Sequence, residues 1–454
     1  MKPAPFQQQL PLPAFSLDQP CKDGRHQPIR RPNKVDPKDR AFHDWYRFVL
    51  SFPPHLVSDY IKSFRLDGSH VILDPFCGTG TTLVESKLRG IEGIGIEANG
   101  FAHFASSVKV DWGPDPEILR KKAHEIADST RSSLKVQDVN DDVLFSSSPR
   151  ISCLLNLDPE AAKLLLTNSI SPLSLHKTLV LLNHLRGHQN ERYYFHAVLA
   201  LANALVFRIS NLHFGPEVGV GKPKTDVPVV ASWLFEIEKM CRDLEAIKGR
   251  TFPDSKVFLG DAREVSRILP SHSVDAVITS PPYPNEKDYT RTTRLESVVL
   301  GFIKNKSELR EMKKRFVRSN TRSVYKDDDD DKWIAEHAEI ERIAKSIEKR
   351  RKELGKNSGF ERMYGRVTKL YFGGMARHFA ELRSVLRPGA QLAYVVGDQA
   401  SYLRIMIRTG KLLAEIAQSL GYELTRIDLF RTRYATATKE NLREEVVVLR
   451  WPGK

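Results

Sequence analysis

Short, wholly apolar runs alternate with helical patterning along much of this chain, and their order predicts a doubly wound α/β sheet. Val71-Ile72-Leu73 reads as a buried strand. A glycine turn follows at Gly78 and Gly80, then a helix through Leu83 to Leu88 that stops at Gly90, then a second apolar run, Gly93-Ile94-Gly95-Ile96, ending in Glu97. Strand, turn, helix, strand and terminal acid within about 30 residues make one βαβ unit. Further strands are predicted at Val257-Phe258-Leu259, ending at Asp261, and at Val274 to Thr279, Leu392 to Val396, Leu424 to Phe430 and Glu445 to Leu449. An amphipathic helix from Lys411 to Leu420, stopped by Gly421, lies between the last strands.

The predicted sheet is therefore assembled from three pieces, 41–110, 251–300 and 369–454, separated by two insertions. The first, 111–250, carries helical runs at Leu173 to Leu185 and Phe195 to Ile209 and a Gly/Pro-rich loop from Phe214 to Pro228. The second, 301–368, is strongly charged: KKRFVR at 313–318, YKDDDDDK at 325–332, and a helix with Ile340, Ile343, Ile347 and Leu354 on one face. Residues 1–40, rich in Pro, Gln and basic residues, read as a flexible arm. Ahead of the first strand, the stretch from His43 to Phe64 gives an aromatic segment and a Pro-Pro helix start.

Composition narrows the partners. The 454 residues hold 70 Lys+Arg against 56 Asp+Glu, a formal net charge of +14, which points to a polyanion. At 41% hydrophobic and 9% aromatic the chain can bury a large core, which excludes collagen-like and wholly disordered classes. The longest apolar run, Phe195 to Phe207, contains His196 and Asn203 and is too short to cross a bilayer. No signal-type apolar stretch opens the chain, and Cys21, Cys77, Cys153 and Cys241 have no disulfide or zinc spacing, so a reduced, cytoplasmic protein without a metal is expected. His184 and His188 have metal-like spacing, but no acid or Cys joins them and a structural role is favoured.

Two constellations carry chemistry. DPFCGTGTT at 74–82 is a strand-to-helix turn of the kind that cradles a nucleotide-type cofactor, and Glu97 stands where an acid can bind both ribose hydroxyls. The third glycine of a dinucleotide fingerprint is missing, since position 83 is Leu83, which argues against an NAD-dependent oxidoreductase. In VDAVITSPPYPNEKDYTR at 274–291, Ser280-Pro281-Pro282-Tyr283 forms a stiff turn at the end of a strand. The prolines fix φ and remove two N–H donors, so the Ser280 hydroxyl and the Pro281 carbonyl can accept from an exocyclic amino group while Tyr283 offers a stacking face.

The pair DPFCGTGTT and TSPPY resembles the S-adenosylmethionine-dependent amino-methyltransferases of DNA. The resemblance covers about 43–110 and 255–300 well and 371–450 more loosely, through LRPGAQLAYVVGD at 386–398. It implies a Rossmann-like methyltransferase sheet with helices on both faces, in which Asp74, Pro75, Phe76, Gly78, Gly80 and Thr81 hold the methionine end of the cofactor. By the same resemblance Glu97 holds the ribose, Asp261 bonds the adenine amino group, and Phe52 beside Pro53 helps close the methionine pocket. Ser280 in the place of Asp or Asn is typical of members that act on cytosine N4, and the turn lacks the Cys that C5 methylation needs. Duplex DNA is then the expected partner, with a cognate restriction endonuclease as a possible second.

Adenine N6, RNA guanine N2 and a catalytically silent DNA-binding protein remain the alternatives. Tyr289, Arg291 and Arg294, just after the turn, are candidate phosphate contacts, as are Lys313, Lys314 and Arg315 in the second insertion, which is the candidate target-recognition segment. The five acids at 327–331 would repel DNA and are expected at a loop tip facing away.

Overall fold

The computed structural model describes residues 39–47, 51–142, 154–215, 218–285, 287–435 and 439–453. Most of the predicted N-terminal arm lies outside these residues. The chain enters through a short aromatic segment and helix α1 (Pro54–Ser63), then builds β1 (Val71–Asp74), α2 (Thr81–Leu88), β2 (Glu92–Glu97) and α3 (Gly100–Lys109). The first insertion contributes α4 (Pro116–Lys135), α5 (Pro159–Ala162), α6 (Pro172–Arg186), α7 (Tyr194–Ala204), a two-stranded hairpin β3 (Leu212–Phe214) and β4 (Val218–Val220), and α8 (Val229–Ala246). A π turn, Leu205–Ile209, prolongs α7.

Next come β5 (Ser255–Leu259), β6 (Val274–Thr279), α9 (Tyr289–Thr292), α10 (Arg294–Val299), α11 (Lys306–Lys314), α12 (Ala338–Glu353) and α13 (Tyr364–Leu382). The chain ends in β7 (Leu386–Gly397), α14 (Thr409–Ser419), β8 (Glu423–Ala435) and β9 (Glu440–Arg450).

Seven strands pair in the order β5-β2-β1-β6-β7-β9-β8, parallel through β7 and antiparallel thereafter. The predicted Rossmann-like sheet is present. From β1 the chain winds toward β2 and β5, and from β6 it winds the other way, so the crevice between β1 and β6 is the topological switch point. The two motifs singled out in the sequence end these two adjacent strands.

Strand periodicity sorts the core. Ile72, Ala276, Ile278, Ala393, Val395, Val446 and Val448 face α1, while Leu73, Val277, Leu392, Tyr394, Val396, Val447 and Leu449 pack with α13 and α14. The first insertion shares a single core with the sheet's own helices: Leu83, Val84 and Phe101 cluster with Leu181, Leu199, Leu205, Trp233 and Met240. It is an added helical layer on the same apolar mass. No helix among the described residues is long and apolar enough to cross a membrane.

The second insertion differs from expectation in two places. Ile340, Ile343 and Ile347 are buried against α13, but Leu354 is 45% exposed because α12 ends one residue earlier and the face it would have shared is gone. The acidic run is no outward loop tip. Asp328 pairs with Arg318 at 2.8 Å, and Asp330, 5% exposed, pairs with Arg263 at 2.5 Å. Gly373 on α13 makes the approach possible, since a Cβ there would lie 2.0 Å from the Asp330 carbonyl oxygen. Two of the five acids find guanidinium partners indoors, which offsets their desolvation.

Candidate active site

A cavity of about 670 Å³ opens at the carboxyl edge of the sheet, over the switch point. Its size suits a small-molecule ligand with room beside it for a second group. One side is the turn between β1 and α2. Gly80 sits at φ +81°, and a Cβ on it would meet the Ser106 Cβ at 3.0 Å, so both conformation and space demand glycine. Gly78, at φ +52°, has open space where a Cβ would be. Below the turn, the buried Lys109 ammonium donates to the Thr79 carbonyl at 2.8 Å, and burial lowers its pKa to about 7.

Glu97, at the end of β2, lines the cavity and accepts the backbone N–H groups of Gly78 at 2.8 Å and Asn99 at 2.7 Å, one on each carboxylate oxygen. Burial outweighs these bonds and lifts its pKa to about 7. Each oxygen keeps a second lone pair, the number needed for two hydroxyls of a ribose.

Asp74 behaves differently from a cavity-lining ligand. It is fully buried, its Oδ1 accepts from the Thr279 hydroxyl at 2.6 Å and from the Phe76 N–H at 3.1 Å, and burial raises its pKa to about 6. The carboxylate thus ties the first residue of the glycine-rich motif to the residue before Ser280. Thr82 adds a parallel tie, its hydroxyl donating to the Ile278 carbonyl at 3.1 Å. Cofactor turn and serine turn are braced as one unit.

On the other side, the Ser280 hydroxyl donates to the Val395 carbonyl of β7 at 3.1 Å. Its hydrogen is committed there, the Tyr283 hydroxyl is in hydrogen-bond contact with its oxygen, and a lone pair remains to accept. Ser280, Pro281, Pro282 and Tyr283 all line the cavity, as do Phe52, Pro53, Pro75, Phe76, Gly78 and Thr81. Tyr283 packs against Gly397, and its N–H donates to the Tyr289 hydroxyl at 3.2 Å. Burial raises the pKa of both tyrosines, so both stay neutral donors or acceptors.

The structure therefore brings the cofactor-type and amino-accepting residues to one cavity and separates others from it. Asp261 turns to Arg263, which reaches both of its oxygens and extends another nitrogen to Asp330. Lys313 is buried and paired with Asp288 at 2.7 Å, and the Arg294 guanidinium folds back onto Thr290. Lys314 pairs with Glu311, whereas Tyr289 and Arg315 line the cavity. His184 and His188 bond separately to Ser133 and Tyr193.

Residues that the strand reading did not bring to the site come from β7, β8 and β9. Val395, Phe430, Arg431, Arg433 and Glu444 all line the cavity. The predicted strand stops at Phe430, whereas β8 runs on to Ala435, and the sheet order brings Arg431 and Arg433 of that extension to the cavity that Ser280 lines.

A DNA methylase family model matches residues 22–105, the segment holding the glycine turn and Glu97. The chain is 25% identical over 451 residues to the type II methyltransferase M.BsoBI of Geobacillus stearothermophilus, an alignment covering 89% of this chain and 83% of that protein. The family model and these relatives support the DNA amino-methyltransferase family for this chain. The chain is also 32% identical over 201 residues to the type II methyltransferases M.AvaI of Nostoc sp. (strain PCC 7120 / SAG 25.82 / UTEX 2576) and of Anabaena variabilis, covering 41% of this chain and 40% of each of those. It thus matches one relative over most of its length and the other two over a shorter shared region.

Proposed function

We propose that the protein transfers a methyl group from S-adenosylmethionine to the exocyclic N4 of a cytosine turned out of duplex DNA, as the modification half of a restriction-modification pair. The observation that carries the reading is the Ser280 hydroxyl, its hydrogen held by the Val395 carbonyl and a lone pair left to accept inside the cavity that also contains the glycine turn and Glu97.

The residues present fit that cofactor. The open space at Gly78 and the paired free lone pairs of Glu97 suit an aminoacyl end and a ribose, and Phe52 and Phe76 supply apolar walls. When bound, S-adenosylmethionine supplies an electrophilic methyl group on a sulfonium. Asp261, turned toward Arg263 and outside the cavity lining, is not one of these groups.

An aromatic amino nitrogen is a poor nucleophile because its lone pair is delocalised into the ring. Two acceptors, the Ser280 oxygen and the Pro281 carbonyl, would hold both amino hydrogens and favour a more tetrahedral nitrogen facing the cofactor side. Tyr283 would stack on the base, worth ~1–3 kcal/mol against the cost of unstacking it. Ser280 is no base near neutral pH, so it orients, and the proton leaves to solvent after transfer. The braces from Asp74 and Thr82 hold the two turns at fixed separation, which is the source of rate in a reaction between two oriented groups.

The test is to express the protein in a host lacking DNA methylation and sequence the genomic DNA by a method sensitive to modified bases. N4-methylcytosine in one short motif is expected. N6-methyladenine would overturn the serine argument, and unmodified DNA would overturn the methyl transfer to DNA.

A further inference from the structure

The last two strands are longer than the sheet needs. Strand β7 pairs with β9 only as far as Gly397 opposite Glu444, whereas β8 and β9 continue through four more pairs, Thr432–Arg443 to Ala435–Glu440. At ~3.4 Å per residue the hairpin overhangs the carboxyl edge of the sheet by about 14 Å. An unsupported two-stranded ribbon is marginal by itself. This one is fixed at its root: the buried Asp398, one residue past β7, accepts from Arg408 at 2.6 Å and donates its N–H to the Arg443 carbonyl at 2.8 Å.

The charges on the overhang are sorted. Arg431 takes Glu444 at the root of the overhang at 2.5 Å and Arg408 reaches Glu440 on the overhang itself at 3.5 Å, so both acids are paired. Arg433 and Lys439 are exposed and have no ion pair among the described residues, and Arg433 lines the cavity mouth. An unpaired guanidinium at the cavity and an unpaired ammonium farther along the same hairpin suit a polyanion that must be gripped beside the cavity. Base extrusion rotates one nucleotide about its backbone, so the neighbouring phosphates need fixing while the base enters.

We propose that the β8–β9 overhang is a DNA-contacting arm in which Arg433 and Lys439 take backbone phosphates of the strand whose base enters the cavity. The proposal rests on duplex DNA being the substrate.

The test uses the full chain and a duplex of random sequence, with binding followed by fluorescence anisotropy between 50 and 200 mM salt. Arg433→Gln and Lys439→Gln should each weaken binding roughly 3- to 10-fold and lower the slope of log affinity against log salt by about one. Arg433→Lys should restore the slope. Arg450→Gln, the same charge change at the far end of the same hairpin, should leave both unchanged, as should cofactor affinity in every variant. Wild-type slopes in Arg433→Gln and Lys439→Gln would overturn the arm while methylated genomic DNA upheld the function. Altered slopes in a protein that leaves genomic DNA unmodified would uphold the arm and overturn the reaction.

Discussion

On the cofactor side of the cavity, one stretch from Asp74 to Thr82 and the end of the next strand supply nearly every group, and their polar contacts run through backbone N–H and carbonyl groups. On the target side the Ser280–Tyr283 turn meets β7, the 315–317 segment of the second insertion and the end of β8, and the charges belong to side chains, Lys287, Arg315, Arg431, Arg433 and Glu444. The cofactor of a methyltransferase family is constant, so a short rigid turn can be written once in sequence. A DNA target differs from member to member, and side chains on separate segments can change without disturbing the sheet.

This contrast is broken or sharpened most strongly at Ser280. Ser280→Ala should cut kcat by about 10²-fold or more through lost orientation while cofactor affinity measured by calorimetry stays put. A fully active variant would mean that the target side does not act through this hydroxyl.

The mirror-image change is Gly80→Ala, on the cofactor side. A left-handed alanine costs ~1–2 kcal/mol, and the contact with Ser106 adds to it. Cofactor affinity should drop about tenfold, with kcat at saturating cofactor nearly kept. Loss of kcat alone would show that the two sides are not separable.

Slightly smaller is the effect of pH on Glu97. Its pKa near 7 means that the ionised form, the acceptor for ribose hydroxyls, grows through neutrality. Cofactor affinity should therefore rise several-fold between pH 6 and 8, and Glu97→Gln should flatten the profile. Stability of the free protein moves the other way. With its pKa raised from the model-compound 4.5, the folded state binds more protons than the unfolded chain between about pH 4.5 and 7, so this group's contribution is lost as pH rises through that window. Thermal melts across the same range check the sign.

Arg431→Gln should have the smallest effect, a few-fold rise in KM for DNA, because it frees Glu444 beside the cavity and the pair is partly solvated. Cofactor affinity should not change.

The comparison also explains what could be read in advance. Short apolar runs marked every strand of the large sheet, including β6 to the residue, because the central strands are buried on both faces and have little choice of composition. Glycines at positive φ and a double proline are local requirements, so the two turns at 74–82 and 280–283 were visible as well. The acidic run at 327–331 misled because charge alone does not say whether a partner waits in the fold. Arg263 and Arg318 are nearby only in three dimensions or across a turn, and Gly373 reads as an ordinary helical glycine until Asp330 is laid against it.

By itself, then, the sequence determined the sheet, its two motif-bearing turns and a net charge suited to a polyanion. Those follow from steric and solvation rules that act over a few residues. Tertiary structure decided that Asp74 braces the serine turn from beneath, that Lys313 and Arg294 are held inside, and that Arg431 and Arg433 stand over the cavity. The Asp74 brace joins residues 205 apart and the Lys313 pair residues 25 apart, and strand order brings the end of β8 over the cavity, so the outcome is set by which segments the sheet lays side by side and which buried charge finds a partner.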